Sequence, residues 1–196
     1  SLQKGARTFI NYCLNCHSAK YMRYNKLLDI GLSKKDIKEN LLFTGKKIGD
    51  PMEISMPVAE SKKWFGATPP DLSVVARSRG PDWIYSYMKG FYRDSSREIG
   101  WNNIVYVNSA MPHILWELQG EQELDKKTGK LSLIKAGKLN QKEYDSVITD
   151  LTNFITYMSE PGQLKRKKMG FYVVGFLLLL LVLTVKLKKE FWKDIK

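Results

Sequence analysis

Apolar residues recur at helical spacing near the start of the chain. Phe9, Ile10 and Cys13 fall near one face, which predicts a short helix over residues 7–16. Gly5 comes just before this stretch and is small enough to allow a close approach by another element.

The clearest helical pattern begins after residue 140. Asn140 and Glu143 have the spacing of a capping box, in which each side chain bonds the other's backbone N–H. Apolar residues then follow at spacings of three and four: Tyr144, Val147, Ile148, Leu151, Phe154, Ile155 and Met158. The sequence "EPG" at 160–162 ends the pattern, so we expect an amphipathic helix between these two signals.

The region between these two patterns has weaker signals. Ser33 and Asp36 predict a capped helix, and residues 43–68 contain several Gly and Pro residues and indicate an ordered loop. Asp71 is expected to cap a short helix, and a further helix is expected from Pro81 to about Tyr92.

A hairpin is the one strand pattern that the sequence predicts. It falls within residues 121–139, with its turn around Thr128 and Gly129. The folded part is thus expected to be mainly α-helical with long loops. Long ordered loops usually need something to pack around, because short helices alone give them little core.

The stretch "MGFYVVGFLLLLLVLTV" from Met169 to Val185 is 17 residues long and carries no charge. As a helix it would rise about 26 Å, slightly less than the roughly 30 Å hydrocarbon core of a bilayer. Lys167, Lys168 and Lys186 flank it and can extend towards the headgroups. We expect a single membrane anchor here.

Charge is unevenly distributed along the chain, whose formal net charge is +12. Residues 1–163 hold 23 Lys+Arg against 18 Asp+Glu, or +5, and residues 164–196 hold 9 against 2, or +7. Basic residues around an apolar helix indicate a membrane surface, whereas a nucleic-acid-binding protein usually carries its basic stripe on the folded domain. We therefore expect membrane lipid as a partner and no nucleic acid.

The sequence "CLNCH" places both cysteines of the chain, Cys13 and Cys16, directly before one of its two histidines, His17. In c-type haem attachment two thiols with this spacing add to the haem vinyl groups, and the adjacent histidine binds the iron. A zinc site would need four ligands, and neighbouring Cys16 and His17 are poorly placed to bind one metal together. A thioredoxin-like redox pair would precede a helix in a parallel-sheet setting, which the pattern lacks. The motif therefore predicts one covalent haem c.

The second axial ligand of such a haem is less sharply defined. Met111 lies in the irregular segment "VNSAMPHIL", where Pro112 stiffens the backbone, and a thioether there would favour ferrous iron. His113, two residues later, is the alternative and would give two histidine ligands and a lower potential. Met111 is the better candidate, but the residues alone leave His113 open, and also Met52 and Met56 in the loop 43–68.

Several segments together resemble the cytochrome c1 family, in its bacterial form. They are "NYCLNCHSAKYMRYN", "PPDLSVVARSRG", "AMPHILWELQG", "EYDSVITDLTNFITYMSEP" and the C-terminal apolar stretch, and they span nearly the whole chain. The resemblance implies a mainly α fold: a class I cytochrome c core with long loop insertions and one C-terminal transmembrane helix. In that core the first helix crosses the last soluble one, so Gly5 and Phe9 would meet Leu151 and Phe154.

The resemblance also implies roles for individual residues. Cys13 and Cys16 would form the thioether bonds, His17 would be the proximal iron ligand and Met111 the distal one. Arg79 matches the arginine that holds a haem propionate, a role that Arg77 could also fill. Trp83 stands where some relatives carry a tyrosine, so a hydroxyl contact to the propionates is not expected at this position.

The family implies an electron-transfer subunit of a quinol–cytochrome c reductase, with cytochrome b and a Rieske iron–sulfur protein as partner subunits. Electrons would pass from the Rieske protein to a soluble or tethered cytochrome c, within a complex that is itself a dimer. Because the soluble part is basic, we expect an acceptor that is tethered or not strongly basic. The alternative is a free-standing anchored cytochrome c that delivers electrons to a terminal oxidase.

Haem attachment of this kind takes place outside the cytoplasm, which sets the expected topology. Residues 1–163 would form a periplasmic haem c domain, 164–168 a basic hinge, 169–187 the transmembrane anchor and 188–196 a cytoplasmic basic tail. The protein would lie in the bacterial inner membrane. The chain begins at Ser1 with no visible signal peptide, so we expect a mature or trimmed form.

Overall fold

The computed structural model describes residues 1–54 and 56–194. Contacts divide the chain into two compact units, Ser1–Ser159 and Glu160–Lys196. The first unit contains the buried core, and the second contains a long apolar helix.

A crossing of the first and last helices of the first unit forms the centre of its core. Helix α1 (Leu2–Thr8) continues as a π-helical turn over Phe9–Cys13 and packs on helix α7 (Gln141–Ser159). Gly5 lies against the backbone of Asp150, and the ring centroids of Phe9 and Phe154 are 5.6 Å apart. The crossing inferred from the family is therefore present. The first helix starts five residues earlier than its apolar pattern predicted, and its regular part ends before the cysteines.

Short helices and two-stranded sheets connect α1 to α7. The shorter helices are α2 (Lys34–Asn40), α3 (Val58–Phe65), α4 (Val75–Arg79), α5 (Pro81–Lys89) and α6 (Trp116–Gln119), with a 3₁₀ helix at Tyr24–Ile30. The strands are β1 (Ala19–Arg23), β2 (Pro51–Met52), β3 (Phe91–Arg93), β4 (Trp101–Asn103), β5 (Gly120–Leu124) and β6 (Leu131–Ala136). In the part of the chain that the structure describes, the strands form three antiparallel pairs, β1–β2, β3–β4 and β5–β6.

Both capping boxes predicted from sequence are present. The Ser33 hydroxyl accepts from the Asp36 N–H at 3.1 Å while the Asp36 carboxylate accepts from the Ser33 N–H at 3.0 Å. Asn140 and Glu143 make the same reciprocal pair at 3.0 and 2.9 Å. These bonds satisfy backbone donors that the first turn of a helix leaves unpaired.

Three local expectations in the middle of the chain were wrong. Helix α3 lies inside the expected loop 43–68. A Glu in its first turn and two Lys in its last turn interact favourably with the helix dipole, and Gly66 ends the helix with φ +73°. Helix α4 starts at Val75, not just after Asp71, because the Asp71 carboxylate instead accepts from the Ser73 N–H at 2.8 Å. Helix α5 ends at Lys89, since the following residues pair with β4.

The hairpin forms where it was predicted, and an ion-pair network supports it. The Glu121 carboxylate on β5 accepts from Arg93 Nε at 2.7 Å and from Lys135 Nζ at 3.1 Å. The Arg93 guanidinium also lies 4.0 Å from the centroid of a Trp101 ring. The bond from Arg93, and then that from Lys135, lowers the pKa of Glu121 to about 2.

We expect Glu121→Gln to lower the thermal stability of the chain in a pH-dependent way. The folded pKa of about 2 lies below the ordinary value of 4.5, so the carboxylate stabilises the fold fully above pH 4.5. That stabilisation is lost as pH falls through 2, and the difference between variant and parent should vanish there. Melting temperatures from pH 7 to pH 2 test this; Glu123→Gln, an exposed carboxylate on the same strand, should show no comparable trend.

The second unit consists mainly of helix α8 (Gln163–Phe191), which at 29 residues is about 43 Å long. Among residues 1–54 and 56–194, it is the one helix long and apolar enough to cross a membrane, with a mean hydropathy of 2.3 in its most apolar window. Residues 164–168, expected as a hinge, are helical here. Arg166 forms a two-bond ion pair with Glu160 just before this helix.

Candidate functional site

The Cys-x-x-Cys-His motif lies in the turn that ends the first helix. The N–H groups of Cys16 and His17 both donate to the carbonyl of Cys13, at 3.1 and 2.9 Å. This tight turn brings Cys13, Cys16 and His17 to one cleft, where Cys13 and His17 are buried and Cys16 is half-buried. Tyr12 lines the same cleft.

The cleft has a volume of about 610 Å³ and lies within the first unit. Five parts of the chain line it besides the residues at the motif: the segment 65–74, helix α4, helix α5, the loop 106–114, and Leu151 and Ile155 of α7. The long loops therefore pack around this cleft, in agreement with the expectation that they need something to wrap around.

The His17 ring is held in one tautomer. Its Nδ1 lies 2.7 Å from the carbonyl oxygen of Pro70, which can only accept, so Nδ1 carries the proton and Nε2 is left free to bind a metal. Burial lowers the pKa of His17, while the bond to Pro70 and the charge of Asp71 act in the opposite direction. A buried neutral imidazole with an oriented N–H is the form that binds iron.

The segment "PPDLS" is tied to the residues after the motif by three hydrogen bonds, each donated by a backbone N–H. The Leu72 N–H donates to the Ser18 carbonyl at 2.8 Å, and the Asp71 carboxylate accepts from the Lys20 N–H at 3.0 Å. Ser73 accepts from the Tyr21 N–H at 3.1 Å. These bonds fix the Pro70 carbonyl relative to His17, which gives the segment a physical role that its sequence alone did not indicate.

The two thiols lack the features of a redox pair or a metal site. Burial, and to a lesser degree the neighbouring Cys16, raises the pKa of the Cys13 thiol to about 12, and burial also raises the pKa of Cys16. Reactive dithiols need a lowered pKa. Among the described residues, no three His, Cys, Asp or Glu side chains come together to hold a metal ion.

Met111 reaches the cleft from the loop that follows β4. It is half-buried, and its N–H donates to the Ser109 hydroxyl at 3.3 Å. Of the methionines in the described ranges, Met88 also lines the cleft, while Met22 and Met52 are buried in the core elsewhere.

His113 lies outside the lining of the cleft. Its ring stacks on Phe91 with centroids 4.9 Å apart and meets Trp101 edge-on at 5.1 Å. Burial lowers its pKa to about 4, and the charge of Arg93 acts in the same direction. Neither ring nitrogen has a hydrogen-bond partner among the described residues. His113 is therefore packed as a core aromatic, which favours Met111 over it as a ligand.

Arg79 lines the cleft at the end of α4, and Arg77 does not. The Arg79 guanidinium lies 5.1 Å from the centroid of the Trp83 ring, which stacks on Tyr87 at 4.9 Å. An exposed guanidinium that lines a cleft and is supported by an aromatic face can bind a carboxylate.

The polar groups that hold the Met111 loop were not predicted from the sequence. They are Tyr87, Ser109 and the buried Asn102 and Asn103, all of which make side-chain bonds in or to this loop. The adjacent asparagines were the available signal, but asparagine is equally common in unstructured turns.

Comparison with known proteins places the chain in a family. A model described as the Cytochrome C1 family matches residues 1–195. A protein of Nitrosomonas europaea named ammonia monooxygenase gamma subunit is 49% identical over 195 residues, covering 100% of this chain and 83% of its own. Cytochrome c1 of Allochromatium vinosum is 45% identical over 206 residues, which cover 100% of this chain and 84% of the relative. Cytochrome c1 of Rhodospirillum rubrum is 28% identical over 231 residues, which cover 100% of this chain and 82% of the relative.

The residues of the cleft fit a covalently held haem. Two cysteines at the required spacing line it beside a neutral histidine with a free Nε2, and its other lining is largely apolar. Haem c bound in this way supplies a one-electron redox centre. The chain therefore belongs to the cytochrome c1 family, as an electron-transfer subunit that carries one haem c attached through Cys13 and Cys16.

Proposed function

We propose that the chain serves a quinol–cytochrome c reductase by accepting electrons from a Rieske iron–sulfur protein and passing them to a soluble or tethered cytochrome c. Cytochrome b would be the further partner subunit, in a complex that is a dimer. The observation that carries this proposal is the shared cleft of His17 and Met111, with His113 excluded from it. Two ligands that fill both axial positions suit electron transfer, whereas ligand binding or oxygen chemistry needs an open position.

The residues of the cleft have separate proposed roles. His17 binds the iron through Nε2 while Pro70 holds its Nδ1–H. Met111 supplies a thioether that favours the ferrous state and raises the potential. Arg79 donates charge-assisted hydrogen bonds to a haem propionate from its place beside Trp83.

We expect Arg79→Gln to lower the midpoint potential of the haem by tens of millivolts. Removing a cation near the haem stabilises the more positive ferric state relative to the ferrous state. A redox titration of the purified chain measures the shift. Arg77→Gln is the matched control, because Arg77 lies on the same helix but not on the cleft. An equal shift in both variants would contradict a specific role for Arg79.

The proposed topology puts the haem domain, residues 1–163, on the periplasmic side of the bacterial inner membrane. The anchor, residues 169–187, would follow the basic segment 164–168, and the basic tail 188–196 would lie in the cytoplasm. Support comes from the site of haem attachment outside the cytoplasm and from the lysines that follow the apolar stretch, since positive residues favour the cytoplasmic side.

An optical spectrum of the protein purified in mild detergent from its native membrane tests the proposed assembly. A c-type band with b-type haem in fixed proportion through successive purification steps is the expected result. A c-type band alone after mild solubilisation would contradict the proposal and support a free-standing carrier. The name of the Nitrosomonas relative raises a further outcome: constant co-purification with ammonia-oxidising activity, in place of b-type haem, would also contradict it.

A further inference from the structure

The loop that carries Met111 is tied to helix α5 by a side-chain hydrogen bond. The Tyr87 hydroxyl on α5 lies 2.7 Å from the Ser109 hydroxyl, and the same Ser109 oxygen accepts the Met111 N–H at 3.3 Å. Ser109 is only 3% exposed, so water cannot readily replace the tyrosine as its partner. The position of the Met111 backbone therefore depends on a bond that starts on another element.

Two buried asparagines hold the rest of the loop, and one of them, Asn103, bonds the same helix. The Asn103 amide donates to the Tyr87 carbonyl at 2.7 Å, and its oxygen accepts from the Val105 N–H at 2.8 Å. Asn102 accepts from the Asn108 N–H at 2.8 Å. These bonds hold the start and middle of the loop, and the Tyr87–Ser109 bond acts at its end, next to the methionine.

The Tyr87 side chain has little freedom to move away from Ser109. Its ring stacks on Trp83 at 4.9 Å with an interplanar angle of 7°, and its other neighbour Phe91 meets it edge-on at 5.0 Å. Burial raises the pKa of Tyr87, so its hydroxyl stays protonated. A ring that its neighbours hold in place, with a protonated hydroxyl, can restrict the movement of the loop to which it bonds.

We propose that Tyr87 is a positioning residue that, through Ser109, holds the Met111 thioether at the haem iron. This inference rests on the proposed role of Met111 as the distal ligand. Tyr87 acts on the dissociation of that ligand and not on haem attachment, because its bond is to the loop and not to the Cys-x-x-Cys-His turn.

The test is carbon monoxide binding to the ferrous form of the full-length holoprotein, since carbon monoxide can bind only when Met111 has left the iron. Tyr87→Phe keeps the ring and removes the hydroxyl. We expect the binding rate to rise about fivefold, the factor that corresponds to the loss of one hydrogen bond worth about 1 kcal/mol. The sulfur-to-iron charge-transfer band of the ferric form should weaken in parallel. Tyr85→Phe, on the same helix but bonded to Lys89, is the control and should leave both readouts unchanged.

Met111→Ala and Ser109→Ala complete the experiment. Ser109→Ala removes the shared oxygen without adding bulk, and should raise the rate as Tyr87→Phe does even if that variant folds poorly. If Met111→Ala binds carbon monoxide freely but neither Tyr87→Phe nor Ser109→Ala changes the rate, the positioning role is wrong and the ligand role of Met111 stands. Equal effects of Tyr87→Phe and Tyr85→Phe would also overturn it. If Met111→Ala changes nothing, the proposed ligand itself is wrong.

Discussion

Replacing Met111 by alanine is expected to lower the midpoint potential of the haem by roughly 0.1–0.3 V, within the span of about 0.8 V over which axial ligands set haem potentials. The thioether stabilises ferrous iron, and without it the ferric state gains relative stability. Met111 reaches the cleft from a loop held by its own network, so the protein can lose this side chain without losing its fold. A redox titration and carbon monoxide binding measure the two consequences.

Met88→Leu is the matched control for this substitution. Met88 lines the same cleft but lies on α5, and leucine keeps its volume and its apolar character. We expect its potential to stay near that of the parent protein. If the midpoint potential falls strongly in Met88→Leu and does not change in Met111→Ala, Met88 and not Met111 is the ligand. If the potential falls only in His113→Gln, the ligand is His113.

The sequence predicted the elements that local chemistry determines. Both capping boxes formed because each needs only two side chains three residues apart. Helix α3 was missed because the surrounding Gly and Pro residues dominated the pattern, although the charges at its two ends suit a helix. The start of α4 was misplaced because an aspartate can bond a turn as readily as a helix end, and tertiary bonds to residues 18–21 decided between the two.

The site shows the same division between local and long-range information. Cys13, Cys16 and His17 are recognisable from sequence because their chemistry is set by their spacing. Choosing between Met111 and His113 requires tertiary contacts, since they lie only two positions apart and only the fold packs His113 between Phe91 and Trp101. The contribution of Pro70 is made by a backbone carbonyl, so no side-chain pattern could have indicated it.

The second large effect is expected from Gly5→Ala, which should destabilise the first unit, Ser1–Ser159, by about 3 kcal/mol. A Cβ at this position would overlap the carbonyl oxygen of Asp150 and lie 2.7 Å from Cβ of Phe154. Both neighbours belong to α7, and the nearer is backbone, so relief requires the two helices to separate along a well-packed interface. A melting-temperature fall of about 6–12 °C should follow in a domain of this size.

The sign of the change in melting temperature shows whether packing or helix propensity dominates at residue 5. Within a helix alanine is favoured over glycine by about 1 kcal/mol, so propensity alone would make Gly5→Ala stabilising. Gly49→Ala is the control, because a Cβ there meets nothing within 4 Å and its φ is not positive. Thermal unfolding of the detergent-solubilised full chain, followed by far-UV ellipticity, compares the two. If Gly5→Ala melts at or above the temperature of Gly49→Ala, the close contact of α1 with α7 does not restrict residue 5, and the crossing must be looser than its backbone contacts indicate.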